Sequence, residues 1–325
     1  MYAVRALFSD ITFRTLTVRP TELGSLTFVR LRLLLTEQTR PFRFALVAFA
    51  PVRLSALNYK KTSADRSGSL FAIVDERISR NCETELLERG FEIIKLPADK
   101  RLGEAVASHT DMLLFRCENT LIGSRQYFEK NGEVFKKIKA ALPSFDFILS
   151  DEPIISKYPN DAIFNALRVG NKLFAKVDSV SQALLDTART SGLEVIGVKQ
   201  GYPACTVLAV SDNFAITADR GMASALSKSG ISVMTVEESE KIKLPPYKNG
   251  FIGGAAGVID NTVCFLGNFL SHPSGEDIKT ALEVRGYEAI SLDPSADALF
   301  DLGGIILINT DRNGRSTSPK KPKSE

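Results

Sequence analysis

The chain has 325 residues, 44% of them apolar, which is ordinary for a globular protein and fits either two domains or one large one. The formal net charge of +3 conceals an uneven distribution, because residues 62–308 hold 26 basic and 33 acidic side chains. An acidic central region argues against nucleic acid as a partner. The longest apolar run near the N-terminus, residues 44–52, is far shorter than the ~20 residues of a membrane span.

The two ends of the chain differ from its centre. Residues 1–59 contain eight Arg and no Lys, and they show no clean alternation or helical stripe. This composition fits a transit peptide or an extension that does not pack on the fold, and we favour the extension. We therefore predict an atypical N-terminal extension, disordered or spurious, at residues 1–67, a folded domain at residues 68–308 and a disordered basic tail at residues 309–325.

Cysteine and histidine usage limits the chemistry. The four cysteines contain no CxxC pair, which predicts reduced thiols in a cytoplasmic protein. Only two histidines are present, and no Cys/His spacing matches a zinc motif, so we expect no metal and no cofactor. Cys117 and Cys264 lie in apolar strands and are predicted to be structural, whereas Cys82 carries no signal. His272 lies in a loop before a helix and is predicted to be solvated.

The first recognisable elements are a buried strand at residues 70–74, a charged helix at residues 78–89 and a second strand at residues 91–96. Gly90 follows the helix as a glycine that ends a helix does. The same helix–glycine–strand pattern returns along the chain, once with Pro-Ser in place of glycine. The later positions are Pro143, Gly192, Gly230 and Gly286.

Between these patterns lie β-hairpins whose turns each carry an asparagine. The clearest is at residues 202–217, YPACTVLAVSDNFAIT, where Asp212 and Asn213 separate two apolar runs. Successive turn asparagines are 52, 42 and 48 residues apart, a period typical of propellers and arrays. They are Asn119, Asn171, Asn213 and Asn261.

Aligned on these asparagines, the chain divides into repeated units of a hairpin, a helix and a strand. Two end segments, residues 70–97 and 299–308, together make a fifth unit. We predict an α/β fold, a five-bladed pseudo-fivefold α/β propeller of repeated ββαβ units, closed by strands from both ends of the domain. Such closure leaves no exposed sheet edge. The four continuous units are residues 108–151, 158–199, 202–237 and 250–293.

Polar residues recur at the start of the first strand of these units, which otherwise runs apolar. Such residues are rarely there for packing, and even offsets from the turn asparagine place them on one strand face. We expect them to converge near two glycines that let the backbone approach closely, together with an aspartate of the fifth unit. The predicted set is His109, Asp111, Asp161, Asn165, Cys205, Gly253, Gly254 and Asp301.

Cys205 and His109 have the chemistry of a nucleophile and its proton-transfer partner. Cysteine attacks as the thiolate, which a neighbouring imidazolium favours by lowering the thiol pKa. Histidine can protonate a leaving amine and then take a proton from water. Carboxylates would hold a cation, best of all a guanidinium. Two alternatives stay open: Cys205 is an ordinary buried thiol, and Asp301 caps a glycine turn.

Two short motifs carry a family resemblance. HTD at residues 109–111 and GYPACT at residues 201–206 resemble the guanidino-group modifying enzyme superfamily, which includes arginine and agmatine deiminases, dimethylarginine hydrolases and amidinotransferases. Longer phrases, such as KYPNDAIFNALRVGN and LPPYKNGFIGGAAG, are similar to an uncharacterised bacterial family of that fold. The resemblance covers residues 70–308.

The resemblance implies a cysteine hydrolase or transferase that acts on a guanidino or amidino C–N bond of a small cationic compound. It gives His109 the acid–base role and Cys205 the nucleophile role, and it has Asp111 with Asp161 hold the guanidinium. We predict that the other members of the set also bind the substrate: Asn165, Gly253, Gly254 and Asp301. Two features depart from the superfamily pattern: about a hundred residues follow Cys205, and no EGGD motif is present. The alternative is a non-catalytic binding protein, because the same ring serves in ribosome anti-association factors. The oligomeric state is left open.

Overall fold

The computed structural model describes residues 68–310, and the predictions for residues 1–67 and 311–325 lie outside this range. Within it, no helix is long and apolar enough to cross a membrane. The helices are α1 (Arg80–Glu88), α2 (Thr110–Leu113), α3 (Arg125–Lys130), α4 (Gly132–Ala141), α5 (Gln182–Thr190), α6 (Pro203–Thr206), α7 (Arg220–Lys228) and α8 (Gly275–Glu283). Short 3₁₀ turns span Glu104–Val106, Gly253–Ala255 and Phe269–Ser271.

The strands are short, between two and six residues each. They are β1 (Leu70–Asp75), β2 (Phe91–Leu96), β3 (Leu114–Cys117), β4 (Thr120–Ser124), β5 (Asp146–Ser150), β6 (Leu167–Val169), β7 (Lys172–Ala175), β8 (Glu194–Gly197), β9 (Val207–Ser211), β10 (Phe214–Thr217), β11 (Ser232–Thr235), β12 (Ile242–Lys243), β13 (Ala256–Ile259), β14 (Thr262–Phe265), β15 (Glu288–Ser291), β16 (Leu299–Phe300) and β17 (Ile306–Asn309).

Within residues 68–310, five three-stranded sheets share one strand order. In each, the middle strand pairs antiparallel with one neighbour and parallel with the other. In the chain, the middle strand is followed by one or two helices and then by its parallel partner, so each sheet belongs to a mixed α/β unit. In four sheets the antiparallel partner directly precedes the middle strand, whereas β1 pairs with β17 from the far end of the domain. The sheets are β17-β1-β2, β3-β4-β5, β6-β7-β8, β9-β10-β11 and β13-β14-β15.

The turn asparagines occupy one structural position in four of these sheets. The backbone carbonyl of each accepts a hydrogen bond from the first N–H of the parallel third strand, at 2.8–2.9 Å. The hairpin turn is thereby tied to the strand that arrives after the helix. The pairs are Asn119 with Asp146, Asn171 with Glu194, Asn213 with Ser232 and Asn261 with Glu288. The arrangement of the sheets in a ring stays a prediction.

The segment predicted as a single hairpin strand, residues 299–308, is two strands. β16 pairs parallel with β12, and β17 pairs with β1. The break falls at Gly303 and Gly304, whose φ angles of +69° and +74° lie in the region that favours glycine. Asp301 holds the break, because its carboxylate accepts the N–H of Gly303 at 3.1 Å.

The residues placed at strand starts by the sequence do not lie in strands. Asp111 and Cys205 lie in single helical turns, as do the two glycines, whereas Asp161 and Asn165 lie in the irregular segment before β6. The hairpin predicted from residue 202 begins only at β9, and α6 occupies the residues before it. Pro203 opens α6, a position that suits proline because its missing N–H has no helical partner. α2 and the 3₁₀ turn Gly253–Ala255 similarly end where β3 and β13 begin. The prediction that these side chains share a strand face is therefore wrong.

Candidate active site

Two single-turn helices carry Cys205 and Asp111. α6 contains Cys205 and runs directly into β9, while α2 contains Asp111 and runs directly into β3. His109 immediately precedes α2, and the Thr110 hydroxyl donates to the carbonyl of Gly303. Each turn is thus fixed by a sheet, so the side chains are held by rigid backbone rather than by loops.

The Cys205 thiol has two polar partners. Its Sγ lies 2.7 Å from Asp111 Oδ2, to which it donates, and 3.3 Å from Asn165 Nδ2. Asn165 also accepts the Ala204 N–H on Oδ1 at 2.9 Å. The asparagine therefore bridges the thiol and the backbone beside it, which fixes both its own amide and the turn that presents the sulfur.

Cys205 differs from the other cysteines in its surroundings. All four are free and buried. Cys82, Cys117 and Cys264 belong to apolar clusters of the core, as befits structural thiols. Cys205 instead contacts a carboxylate and an amide, although it is only 4% exposed. These contacts distinguish Cys205 from the other three thiols.

Burial controls the protonation of this site. It raises the pKa of the Cys205 thiol well above its usual range, and the Asp111 and Asp301 carboxylates raise that pKa further. Burial also raises the pKa of Asp111 to about 6 and that of Asp301 to about 7, with Asp111 adding to the latter. Near neutral pH the thiol is protonated and Asp111 is an anion.

His109 is wholly buried and its ring has no hydrogen-bond partner among the described residues. Its Nδ1 lies 3.9 Å from Asp301 Oδ1. Burial lowers the pKa of His109 to about 4, against the opposing charge of Asp75, so the imidazole is neutral. One potential ligand atom from each of His109, Asp111 and Cys205 lies within 4.8 Å of the others. A buried polar group without a partner needs a functional or structural reason.

Gly253 and Gly254 lie close to the residues with which the sequence grouped them: Gly254 to Asp301, and Gly253 to the backbone of α6. The Asp301 carboxylate accepts the Phe251 N–H at 2.8 Å. A Cβ on Gly254 would overlap Asp301 Oδ1, and a Cβ on Gly253 would overlap carbonyl oxygens of the turn that bears Cys205. Both positions therefore require glycine for close backbone approach. The capping role foreseen for Asp301 is also present.

Asp161 reaches this set through a tyrosine rather than by direct contact with the thiol. Its Oδ2 accepts the Tyr202 hydroxyl at 2.7 Å, and its Oδ1 is buried without a partner. The Tyr202 ring packs against Tyr158, with centroids 5.4 Å apart. Tyr158 in turn lines a groove of about 660 Å³ together with Lys199 and Lys228.

Sequence reasoning missed an ion pair near His109, formed by the buried Asp75 and the exposed Arg77. Asp75, at the end of β1, accepts from Arg77 Nη2 at 2.6 Å and from the Ser108 hydroxyl at 2.9 Å. Ser108 is the residue before His109, so this pair fixes the approach to α2. A carboxylate that ends the apolar run LFAIVD is a signal that could have found it.

His272 was predicted to be solvated, and that prediction is wrong. Its residue is 3% exposed, and its Nδ1 accepts the Ser274 N–H at 3.1 Å. Burial lowers its pKa. This hydrogen bond lies within the loop before α8, and it holds the imidazole inside the protein.

Comparison with known proteins places the chain in a family. Residues 73–306 match the family described as "Family of unknown function (DUF6873)", and the chain belongs to this family. No curated protein sequence matches the chain.

Several solved structures are similar to this one. The amidinotransferase SxtG from Microseira wollei is 10% identical over 73% of this chain and 95% of its own, with a TM-score of 0.44. Agmatine deiminase from C. jejuni is 10% identical over 78% and 95%, with a TM-score of 0.47. Inosamine-phosphate amidinotransferase StrB1 from Streptomyces griseus is 12% identical over 75% and 83%, with a TM-score of 0.45. Similarity at this level does not say what the present chain acts on.

Replacing Gly254 with Ala tests the close approach beside Asp301. The added methyl has no room, so we expect the free energy of unfolding to fall by about 1–3 kcal/mol. Urea denaturation followed by circular dichroism measures the loss. Gly103→Ala is the matched control, because no atom lies within 4 Å of its Cβ position and the change there should be about 0.5 kcal/mol or less. Equal effects of the two substitutions would contradict the packing described.

Replacing Asp301 with Asn removes a carboxyl whose pKa burial raises to about 7. The unfolded chain titrates this group near the usual pKa of about 4, so the folded state holds the proton more tightly. Its stabilising contribution is complete below about pH 4 and is lost as pH rises through about 7. Relative to Asp301→Asn, the wild-type free energy of unfolding should fall by a few kcal/mol across this window, at about 1.4 kcal/mol per pKa unit.

Urea denaturation from about pH 4 to about pH 8 measures this difference. Asp297→Asn, which removes a carboxylate at an exposed position, serves as the control. A flat difference for Asp301→Asn would refute the raised pKa.

Proposed function

We propose that the protein is a cysteine hydrolase or transferase that breaks a guanidino or amidino C–N bond through a covalent bond to Cys205. The observation that carries this proposal is the contact between Cys205 Sγ and Asp111 in a shielded site that also holds His109. The resemblance of the HTD and GYPACT motifs agrees with it. No other cysteine within residues 68–310 has a carboxylate within hydrogen-bond distance of its sulfur.

The charges favour a cationic substrate. Asp111 and Asp301 both lie near the thiol, and Asp161 has a buried Oδ1 with no partner. Carboxylates in a site of low dielectric attract a cation strongly, and a planar guanidinium or amidinium can bond two oxygens at once. The substrate class is therefore a small guanidino or amidino compound.

The first chemical step forms the covalent bond. The bound cation offsets the carboxylates and so lowers the pKa of the Cys205 thiol, whose proton passes to His109. The thiolate attacks the central carbon of the guanidinium. The C–N bond to the leaving amine then breaks, and His109 gives its proton to that amine. An S-linked amidino group remains on the enzyme.

The second step releases it. Neutral His109 takes a proton from water, and the resulting hydroxide attacks the same carbon. The C–S bond breaks, its electron pair returns to sulfur, and the proton held by His109 restores the thiol. The product leaves as a urea or amide after the proton of its new hydroxyl passes to solvent. If an acceptor amine replaces water, the same step is a transfer. Asp111 and Asp301 stay ionised and hold the cationic carbon centre in both steps.

Asn165 has a positioning role in this scheme. Its Nδ2 donates toward the sulfur, an interaction that lowers the pKa of the thiol against the effect of burial. Its Oδ1 is occupied by the Ala204 N–H, which leaves the amide one orientation. The side chain thus favours the thiolate and aims it, whereas the sequence assigned Asn165 to substrate binding.

The proposal also arranges the five sheets around one axis, as a five-bladed α/β propeller. Their common strand order, the pairing of β17 with β1 and the meeting of α2 with α6 at the thiol support this arrangement. A cytoplasmic location is part of the proposal, in keeping with four free cysteines.

Turnover of guanidino and amidino compounds tests the function directly. A panel of such compounds is screened with the full chain for release of ammonia or urea. For a responsive compound, Cys205→Ala should lower kcat by about 10³-fold or more, since it removes the nucleophile. Cys117→Ala changes a buried thiol of the apolar core and should leave kcat unaltered. Unaltered turnover in Cys205→Ala would disprove the covalent mechanism.

Alkylation tests the charge argument without knowledge of the substrate. Chloroacetamidine is a cation, and chloroacetamide is its neutral analogue. The cation should modify Cys205 at least about tenfold faster, because each unit by which it lowers the thiol pKa raises the thiolate fraction tenfold. Mass spectrometry of the modified peptides measures the two rates, with Cys117 as internal control. Equal, slow modification of both cysteines by both reagents would favour the non-catalytic binding protein.

A further inference from the structure

We propose that His109, Asp111 and Cys205 also bind a divalent cation, best fitted by Zn²⁺, and that the bound ion blocks the thiol. The three side chains each offer a ligand atom, and these atoms lie within 4.8 Å of one another. No zinc spacing is visible in the sequence because the ligands come from two segments, α2 with its preceding residue and α6. The fold alone brings them together.

The donor set selects the metal. Imidazole nitrogen, thiolate sulfur and carboxylate oxygen are the ligands that Zn²⁺ uses in proteins. The soft sulfur disfavours Mg²⁺ and Ca²⁺, which prefer oxygen. Three protein ligands leave a fourth tetrahedral position open for water or another small ligand. Zinc–ligand bonds of about 2.0–2.3 Å require the His109 nitrogen to approach the other two ligand atoms, while Cys205 Sγ and Asp111 Oδ2, now 2.7 Å apart, separate around the ion.

Unpartnered atoms are a second observation that points to a ligand. Both ring nitrogens of His109 and the Asp111 Oδ1 are buried without hydrogen-bond partners among the described residues. A cation between them would satisfy one nitrogen and the carboxylate. Asp301 Oδ1, 3.9 Å from His109 Nδ1, is placed to accept a hydrogen from the other ring position. A carboxylate behind a metal-bound histidine orients the ring and strengthens the ligand.

Binding is balanced by release of one proton. The Cys205 thiol gives up its proton to solvent, and the thiolate electron pair forms the bond to the metal. The sulfur electron pair that would attack a guanidinium carbon is then engaged in the bond to the metal. The inhibition rests on the function proposed above, whereas metal binding itself does not.

Cobalt substitution tests the site with a readout independent of turnover. The full chain is freed of metal with a chelator under reducing conditions and titrated with Co²⁺ alone. One equivalent should produce a sulfur-to-cobalt charge-transfer band in the near ultraviolet, and Zn²⁺ should displace it. Cys205→Ser should abolish the band. His109→Ala should weaken binding by about 100-fold or more, and Asp301→Asn by about 10–100-fold.

Matched controls use the residues of the same types elsewhere. His272→Ala and Cys117→Ala should keep both the band and the affinity, and circular dichroism verifies folding of every variant. A folded wild-type chain without the band, or a band that survives in Cys205→Ser, would overturn the proposal. Because Asp301 is not a ligand in this scheme, full affinity in folded Asp301→Asn would overturn its supporting role.

The two proposals fail separately. A chain that binds Co²⁺ through Cys205 yet turns over no guanidino compound retains the metal site and loses the hydrolase. A chain that turns over such a compound without metal and keeps its rate with one equivalent of Zn²⁺ retains the hydrolase and loses the blocking ion. Turnover that requires Zn²⁺ would also overturn the blocking role.

Discussion

Removal of water from one small group of side chains is the constraint on which this site depends. Without solvent, each titratable group moves toward its neutral form: the Cys205 thiol keeps its proton, His109 loses its own, and the pKa values of Asp111 and Asp301 rise to about 6 and 7. A single positive charge brought into this set reverses the balance, because it stabilises thiolate and carboxylates together. A guanidinium and a zinc ion are two ways to supply that charge, and both engage the same sulfur.

The fold buries these side chains together by placing them on turns that hold equivalent positions in different sheets. α2 and α6 stand at the same point of their sheets, one turn before a hairpin strand, and their side chains meet although 94 residues separate Asp111 from Cys205. Neighbouring turns contribute space rather than groups, since Gly253 and Gly254 admit the backbone of α6 and the Asp301 carboxylate. The turn before the hairpin strand therefore carries the thiol in one sheet, a carboxylate in another, and glycines without side chains in a third.

Strands, hairpins and their helices followed from the sequence because apolar runs, turn asparagines and helix-ending glycines are local signals. The observed β1, β2, β9 and β10 begin or end within a few residues of the predicted segments, except that the hairpin at residue 202 starts late. Single helical turns were not foreseen, since four residues are too few to show a helical period. The break at Gly303 depends on the pairing of β16 with β12 and of β17 with β1, which are distant in sequence.

The candidate site was predictable in its members but not in its contacts. Alignment on the turn asparagines selected Cys205 and Asp111, and the joined fifth unit supplied Asp301; the structure places the three near one another. The same alignment could not show that Asp161 accepts a hydrogen bond from Tyr202 instead of contacting the thiol, or that Asn165 donates to the sulfur. It also passed over Asp75, because the first unit lacked a complete hairpin in the chain. The sheet that completes it, through β17, exists only after folding.

That last pairing has a consequence for chain connectivity. Leu70 lies opposite Asn309, and the Thr310 N–H bonds the Ser69 carbonyl at 3.0 Å, so the two ends of the described domain lie side by side. A protein of this kind can be circularly permuted: a short linker joins the ends, and new termini open in one of the exposed hairpin turns. The contacts that hold the domain together therefore do not fix which unit comes first along the polypeptide.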